Sequence, residues 1–242
     1  MPDNKVRISF ICPVYNSGDT VREAVESILD QDLEELEVIL VDDGSVDGSR
    51  EILKRLEEES ARASNPLNQL KVFFHPVNQG KGAALKTALS RATGDVVIVQ
   101  DADLEYDPRD YPILLEPIQA GLAEVVYGTR FAGGGAHRVL FFWHSMGNHL
   151  LTMISNMLTN LNLSDMEVGY KVFRAEALKG IELRSKRFGF EPEITVKLAK
   201  HGCRFYEVPI SYHGRTYEEG KKITWKDGVA ALYFMIRYRL GD

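Results

Sequence analysis

Apolar and polar positions follow two rhythms that alternate through the first half of this chain. Arg7–Val14 is a near-continuous apolar run and reads as a strand. Thr20–Gln31 puts Val21, Ala24, Val25, Ile28 and Leu29 at helical spacing. Glu37–Val41 predicts a second strand, and Asp47–Arg62 an amphipathic helix with Asp47 or Ser49 at its start. Leu70–Phe74, Gly80–Ala92 and Asp95–Gln100 continue as strand, helix and strand. Strands alternating with helices imply a largely parallel sheet covered on both faces. Past Gly121 the pattern is less regular. It holds a strand at Glu124–Gly128, a glycine loop at Gly133-Gly134-Gly135 and a helical stretch around Trp143–Leu161. A strand at Phe205–Ile210 and a last helix at Trp225–Leu240 follow.

Open parallel sheets bind ligands beyond the carboxyl ends of their strands. Here all four early strands run into polar clusters: Pro13-Val14-Tyr15-Asn16, Asp42-Asp43-Gly44-Ser45, Asn78-Gln79-Gly80-Lys81-Gly82, and the acidic run Asp101, Asp103, Glu105, Asp107. Asp-Gly and Asn-Gln-Gly are also turn chemistry, and Asp47 is a good helix cap. The acidic run needs either solvent or a bound cation, because half-buried like charges are costly.

Composition narrows the classes. The chain has 242 residues, 44% hydrophobic and 26% charged, enough for one large domain. A net charge of −6 argues against bulk nucleic-acid binding. Two cysteines, Cys12 and Cys203, form no CxxC, which disfavours a zinc site or disulfide framework and fits a reducing compartment. The first residues carry no long apolar leader, and no stretch reaches the roughly 20 apolar residues of a membrane span. The expectation is a cytoplasmic protein, or one at the cytoplasmic face of a membrane; oligomeric state is left open.

Lookalike motifs fail on detail. Asp43, Ser45 and Asp47 imitate a calcium loop, but Lys54 stands where a bidentate glutamate is required. Gly80-Lys81-Gly82 with Lys86-Thr87 suggests a phosphate loop, but Leu85 replaces the glycine before the lysine. No GxGxxG follows a strand, so a dinucleotide cofactor is not indicated.

The four clusters "CPVYN", "VDDGSVDGS", "NQGKGAAL" and "DADLEYDP" resemble, in order and spacing, the nucleotide-sugar site of family-2 glycosyltransferases. In the second half, "YGTRF", "DMEVGYKVFR", "FGFEPEIT" and "VPISYHGRTYEEGKKITWKDG" are similar to the branch of dolichyl- and polyprenyl-phosphate sugar synthases. The resemblance covers about Ile8 to Gly228. It implies an α/β fold of GT-A type, a Rossmann-like αβα sandwich with a mainly parallel central sheet. It also implies one domain over 1–242, with a nucleotide-sugar half (1–105) and an acceptor half (106–242). The implied reaction is inverting transfer of a hexose from UDP-glucose or GDP-mannose to a polyprenyl or dolichyl phosphate. Readings that stay open are a soluble or saccharide acceptor, and a nucleotide-sugar binder without catalysis.

Roles follow residue by residue. On a continuing strand, Asp101 and Asp103 share a face and meet one Mg²⁺ or Mn²⁺, hard cations that take oxygen ligands. Glu105 sits where relatives carry a third polar ligand, and Asp107 starts the next turn with Pro108. By resemblance, Pro13, Tyr15 and Asp43 hold the nucleoside, while Asn16 shapes the first loop. Gln100 and Ala102 line the ribose, and Lys81, beside glycines that let backbone approach the ligand, reaches the base or diphosphate.

A phosphate acceptor is already anionic near pH 7, so it needs cations and positioning rather than a base. Arg130 in "GTRF" matches the branch directly. Arg138 follows it, and His144 stands where relatives have an arginine or lysine. Asp165 and Glu167 fall where the family keeps acids near the sugar; "LSDME" is also helix-start chemistry. Asp103, Arg130, Asp165 and Glu167 form the catalytic set, and Glu191 contacts the sugar or its surroundings. Arg215 and Lys221, in "RTYEEGKK", suggest a lid that carries cations to phosphates. The apolar helical stretches around Trp143–Leu161 and Trp225–Leu240 offer a lipid groove or a peripheral membrane contact.

Overall fold

The computed structural model describes residues 6–33, 35–62, 68–133, 138–139, 141–187, 189–215 and 225–241. Lys221 and the glycines at 134 and 135 lie outside them. Among the described residues seven strands form one sheet: β1 (Ile8–Val14), β2 (Leu36–Asp42), β3 (Asn68–Phe74), β4 (Val96–Val99), β5 (Val125–Thr129), β6 (Lys171–Arg174) and β7 (Phe205–Pro209). Their spatial order is β3-β2-β1-β4-β6-β5-β7. β1 pairs in parallel with β2 and β4, and β2 with β3. The first four strands therefore end at one edge, as their sequence pattern predicts. Every residue of β2 is buried, so helices cover both faces of the sheet. The fold is the expected α/β sandwich with a mostly parallel sheet.

The helices are α1 (Val21–Leu29), α2 (Ser49–Arg62), α3 (Lys81–Leu89), α4 (Tyr111–Gln119), α5 (Phe142–Thr159), α6 (Phe190–Lys200) and α7 (Trp225–Leu240). Three elements carry no periodic signal. β6 is only four residues long and antiparallel to both neighbours. α4 contains Pro112 and Pro117, with Pro112 tolerated in the first turn. α6 buries Glu191, Glu193, Thr195 and Lys197 together with its apolar residues, which erases any amphipathic stripe.

Two local expectations are corrected. β4 ends at Val99, so Asp101 and Asp103 lie on a turn and not on a continuing strand. Leu104, with φ at +58°, completes that turn. "LSDME" starts no helix: residues 160–170 are irregular. Asp107 does start a turn; its carboxylate accepts from Arg109 N at 2.9 Å.

Candidate active site

The loop after β1 and the loop after β2 are laced together. Asn16, with φ at +49°, donates its N–H to Ser45 Oγ at 2.9 Å and accepts from Val46 N at 3.0 Å. Asp47 accepts from Gly18 N and Ser49 N, so it caps α2 and pins the first loop in one contact. Asn16 thus shapes the loop as expected. Pro13 is half-buried beside it, and Tyr15 is 41% exposed at the rim.

Asp43 is buried and already engaged. Its Oδ1 accepts from Gln79 N at 2.9 Å and meets His75 Nδ1 at 2.7 Å; its Oδ2 accepts from Gly80 N at 2.7 Å. The carboxylate therefore builds the turn that delivers Lys81. The glycines beside Lys81 serve this packing. A Cβ on Gly82 would lie 2.5 Å from Ser185 O, and Gly82 N donates to Arg187 O at 3.2 Å. They admit the 185–187 backbone, a neighbour within the chain, where the sequence suggested a ligand.

Lys81 Nζ lies 2.9 Å from Asp101 Oδ1 and 3.2 Å from Glu191 Oε1. Burial opposes its charge, but Asp101 and Glu191 hold it protonated well above the ordinary lysine range. Gln100 and Ala102 sit beneath this loop. Gln100 Oε1 accepts from Tyr111 Oη at 2.6 Å, its Nε2 donates to Asp101 O at 2.8 Å, and Ala102 O accepts from Thr20 Oγ1 at 2.6 Å. Both are buried props of the acidic turn, and the structure does not bring them to the surface.

Asp103 Oδ2 pairs with Arg215 Nη2 at 2.7 Å, and Glu105 Oε1 with Arg215 Nε at 3.0 Å. Burial, with Asp101 and Glu105 alongside, pushes the Asp103 carboxyl up to about 7.

A second cluster sits at the end of β5. Arg130 Nε and Nη2 grip Asp165 at 2.6 and 2.7 Å, and the guanidinium lies over the rings of Tyr212 and Phe131. Asp165 is fully buried. Burial opposes its ionisation, yet Arg130 and a hydrogen bond from Asn148 Nδ2 at 3.0 Å lower its pKa. Glu207 on β7 fixes this acid by accepting from Ser164 N and Asp165 N. Between the two clusters lie Glu167, Glu191 and Lys171. Burial and Glu191 push Glu167 up to about 8. Lys171 is buried against Val168 O and the Tyr127 ring, and burial lowers it to about 8. Among the described residues, Glu167 Oε1 and Glu191 Oε2 have no hydrogen-bond partner.

Arg138 Nη1 donates to Gly214 O at 2.9 Å, next to Arg215. His144 packs on Phe141 in the first turn of α5. One turn further along, Asn148 is the α5 residue that reaches Asp165. Asn148, Lys171, Glu207 and Tyr212 escape sequence reasoning. The one available signal is a lysine inside the apolar run "YKVF".

Six carboxylates (Asp101, Asp103, Glu105, Asp165, Glu167, Glu191) neighbour four cations (Lys81, Arg130, Lys171, Arg215). Acids outnumber cations among these described side chains, and burial with like charges alongside raises the pKa of both Asp103 and Glu167. Among the described residues no three acidic, histidine or cysteine side chains converge as a ready metal cage. Asp101 and Asp103 nevertheless fit a hard divalent cation that completes its shell with diphosphate oxygens and water.

A mostly parallel sheet that gathers four loops and an acidic turn at one edge is the architecture of GT-A glycosyltransferases. Glucosyl-3-phosphoglycerate synthase from Mycobacterium tuberculosis, solved with Mn²⁺, uridine diphosphate and phosphoglyceric acid, superposes with a TM-score of 0.70. That likeness covers 97% of this chain and 79% of that one, at 17% identity. The chain belongs to glycosyl transferase family 2, whose pattern matches residues 9–181. Its relatives include an undecaprenyl-phosphate mannosyltransferase of Micrococcus luteus, 29% identical over 98% of this chain and 100% of the relative. A UDP-N-acetylglucosamine–dolichyl-phosphate N-acetylglucosaminyltransferase of Methanococcus voltae is 28% identical over 97% and 96%. The protein is a family 2 glycosyltransferase, and these relatives transfer sugars to polyprenyl phosphates.

Proposed function

We propose that this enzyme is a metal-dependent, inverting hexosyltransferase that moves a sugar from UDP-glucose or GDP-mannose to a polyprenyl or dolichyl phosphate. One observation carries the acceptor class: of the acids outside the Asp101–Asp103 metal pair, three are held by cations and the fourth is pushed up by burial. Asp165 is held by Arg130, Glu191 by Lys81, and Glu105 by Arg215. Glu167 keeps its proton up to about pH 8. A hydroxyl acceptor needs a base, whereas a phosphate needs a cation and positioning. Arg130, with its Nη1 not engaged by Asp165, supplies the cation, and Arg138 and Lys221 extend it.

Asp101 and Asp103 would hold Mg²⁺ or Mn²⁺, which neutralises the charge developing on the departing nucleoside diphosphate. Tyr15, Pro13 and the Asp43-braced turn take the nucleoside. Glu167 and Glu191, each with one buried oxygen that no donor of the described residues occupies, lie on the sugar side of the site in this reading. Residues 1–105 serve the donor, and 106–242 serve the acceptor.

No helix among the described residues is long and apolar enough to cross a membrane. α5 instead exposes Phe142, Trp143, Met146, Leu150, Met153 and Met157 along one side, with no charged residue in the helix. That stripe supports peripheral contact with the bilayer that carries the acceptor. The deciding experiment is product analysis with a panel of nucleotide sugars, offered a short-chain polyprenyl phosphate and the matching free alcohol. Transfer to the phosphate alone is expected; transfer to the alcohol returns the reading to a hydroxyl acceptor with Glu167 as base.

A further inference from the structure

The Tyr212–Arg215 segment is tied to the acidic turn at every residue but one. Tyr212 bridges Tyr106 in an isolated antiparallel pair, and its Oη donates to Glu105 Oε2 at 3.1 Å. His213 N donates to Glu105 O at 2.8 Å. Arg215 N and Arg215 Nε both donate to Glu105 Oε1 at 3.0 Å. Arg215 Nη2 then reaches past Glu105 to Asp103 Oδ2 at 2.7 Å. Glu105 thus commits its carbonyl and both carboxylate oxygens to one segment. Oε1, which already accepts two N–H groups, has no lone pair well placed for a metal, and Oε2 could meet one only while shared with Tyr212 Oη.

We propose that Glu105 is the seat of Arg215 and not a metal ligand, and that Arg215 is a built-in counter-cation competing with the divalent metal at Asp103. The proposal rests on the metal reading of Asp101 and Asp103 given above. A guanidinium at 2.7 Å takes the oxygen a cation needs, and two positive charges at such range repel. Metal binding at Asp103 therefore turns the Arg215 side chain off that carboxylate while Glu105 keeps its backbone in place. The released guanidinium stays at the mouth of the site, where the diphosphate leaves. The same segment carries Tyr212, whose ring lies 5.1 Å from the Arg130 guanidinium. Arg215 is a positioning residue in this scheme: it acts through Asp103 on the metal.

The test is Mn²⁺ binding to nucleotide-free enzyme, read as free Mn²⁺ by electron paramagnetic resonance. Arg215→Ala is expected to tighten Mn²⁺ about tenfold, equivalent to about 1.4 kcal/mol. Arg215→Gln, which retains a polar side chain, should shift the affinity in the same direction. Glu105→Gln should bind Mn²⁺ at least as tightly as the wild type. Unchanged or weaker binding in both Arg215 variants overturns the competition. A tenfold loss in Glu105→Gln makes Glu105 a ligand and overturns the seat. Asp103→Asn is the separate control and should weaken Mn²⁺ strongly; if it does not, the metal reading itself fails and the proposal falls with it.

Discussion

Arg130 and Asp165, 35 residues apart in the chain, hold each other in a forked ion pair with contacts of 2.6 and 2.7 Å. The carboxylate is fully buried and the arginine 18% exposed, so the pair carries structural weight beside the role proposed for it. Removing one partner of a buried pair strands the other charge, at a cost of about 3–5 kcal/mol. Arg130→Ala should therefore lower both unfolding free energy in urea and transfer to polyprenyl phosphate. The double variant Arg130→Met with Asp165→Leu should regain most of the stability, because an apolar pair of similar volume is tolerated. Its transfer rate should stay at least about tenfold down, for want of a phosphate-binding fork. Recovery of both properties would leave Arg130 a purely structural residue.

The acidic turn makes the metal requirement testable. Chelation by EDTA should abolish transfer, and added Mn²⁺ or Mg²⁺ should restore it. Asp103→Asn should lose activity while its thermal unfolding stays cooperative. Full transfer in EDTA removes the metal from the reaction.

Asp43 is expected to act on the nucleotide through the turn it braces. Asp43→Ala frees Gln79 N and Gly80 N and loosens the approach of Lys81. Calorimetry should show weaker UDP or GDP binding. Unchanged affinity would confine Asp43 to folding.

Glu37 offers a pH test remote from the site. Its carboxylate is fully buried on β2, 2.9 Å from Lys71 Nζ. Burial opposes its ionisation, but hydrogen bonds from Ser9, Thr93 and Lys71 outweigh it and hold the group at about 2, against 4.5 ordinarily. A lowered acid stabilises the fold above its unfolded value and loses that contribution as pH falls toward the folded one. The loss falls between about pH 4.5 and 2 and amounts to about 3 kcal/mol. Glu37→Gln should be less stable than wild type at pH 6, with the gap narrowing at pH 3. An equal gap at both values rules this account out.

The α5 stripe predicts a division between acceptors. Trp143→Glu combined with Met146→Glu should cut sedimentation with anionic vesicles several-fold, since burial of each apolar side chain is worth about 1.5–3 kcal/mol. Transfer to a water-soluble short-chain phosphate should hold within about twofold, because both side chains are exposed on α5 while Asn148 is the residue of that helix bonded to Asp165. Equal binding to vesicles by wild type and variant would return the stripe to another role.

How much of this was written in the chain is visible residue by residue. β1, β2 and β4 are buried on both faces, so their apolar runs stand out against polar strand ends, and the four clusters could be assigned to one edge from the sequence. Asn16 as a loop former and Asp107 as a turn starter followed from local chemistry, which acts over a few residues. β6 and α6 were illegible for the opposite reason: their buried polar residues are matched by partners distant in sequence. Glu191, for instance, pairs with Lys81 Nζ at 3.2 Å, and Thr195 Oγ1 with Tyr127 Oη at 2.7 Å.

The sequence by itself determined the class of sheet, the edge that carries the site, and the identity of the acids and most of the cations there. Hydrophobic periodicity and turn chemistry are local properties, and they report local structure. Tertiary structure alone decided who faces whom. It set Asp43 to bracing the Lys81 turn, bound Arg215 across Asp103 and Glu105, and closed Arg130 on Asp165. It also hid Lys171 beneath Glu167 and Glu191. Charge pairing inside a low-dielectric site depends on distance in space. Distance in space between residues far apart in the chain is the quantity a linear pattern does not contain.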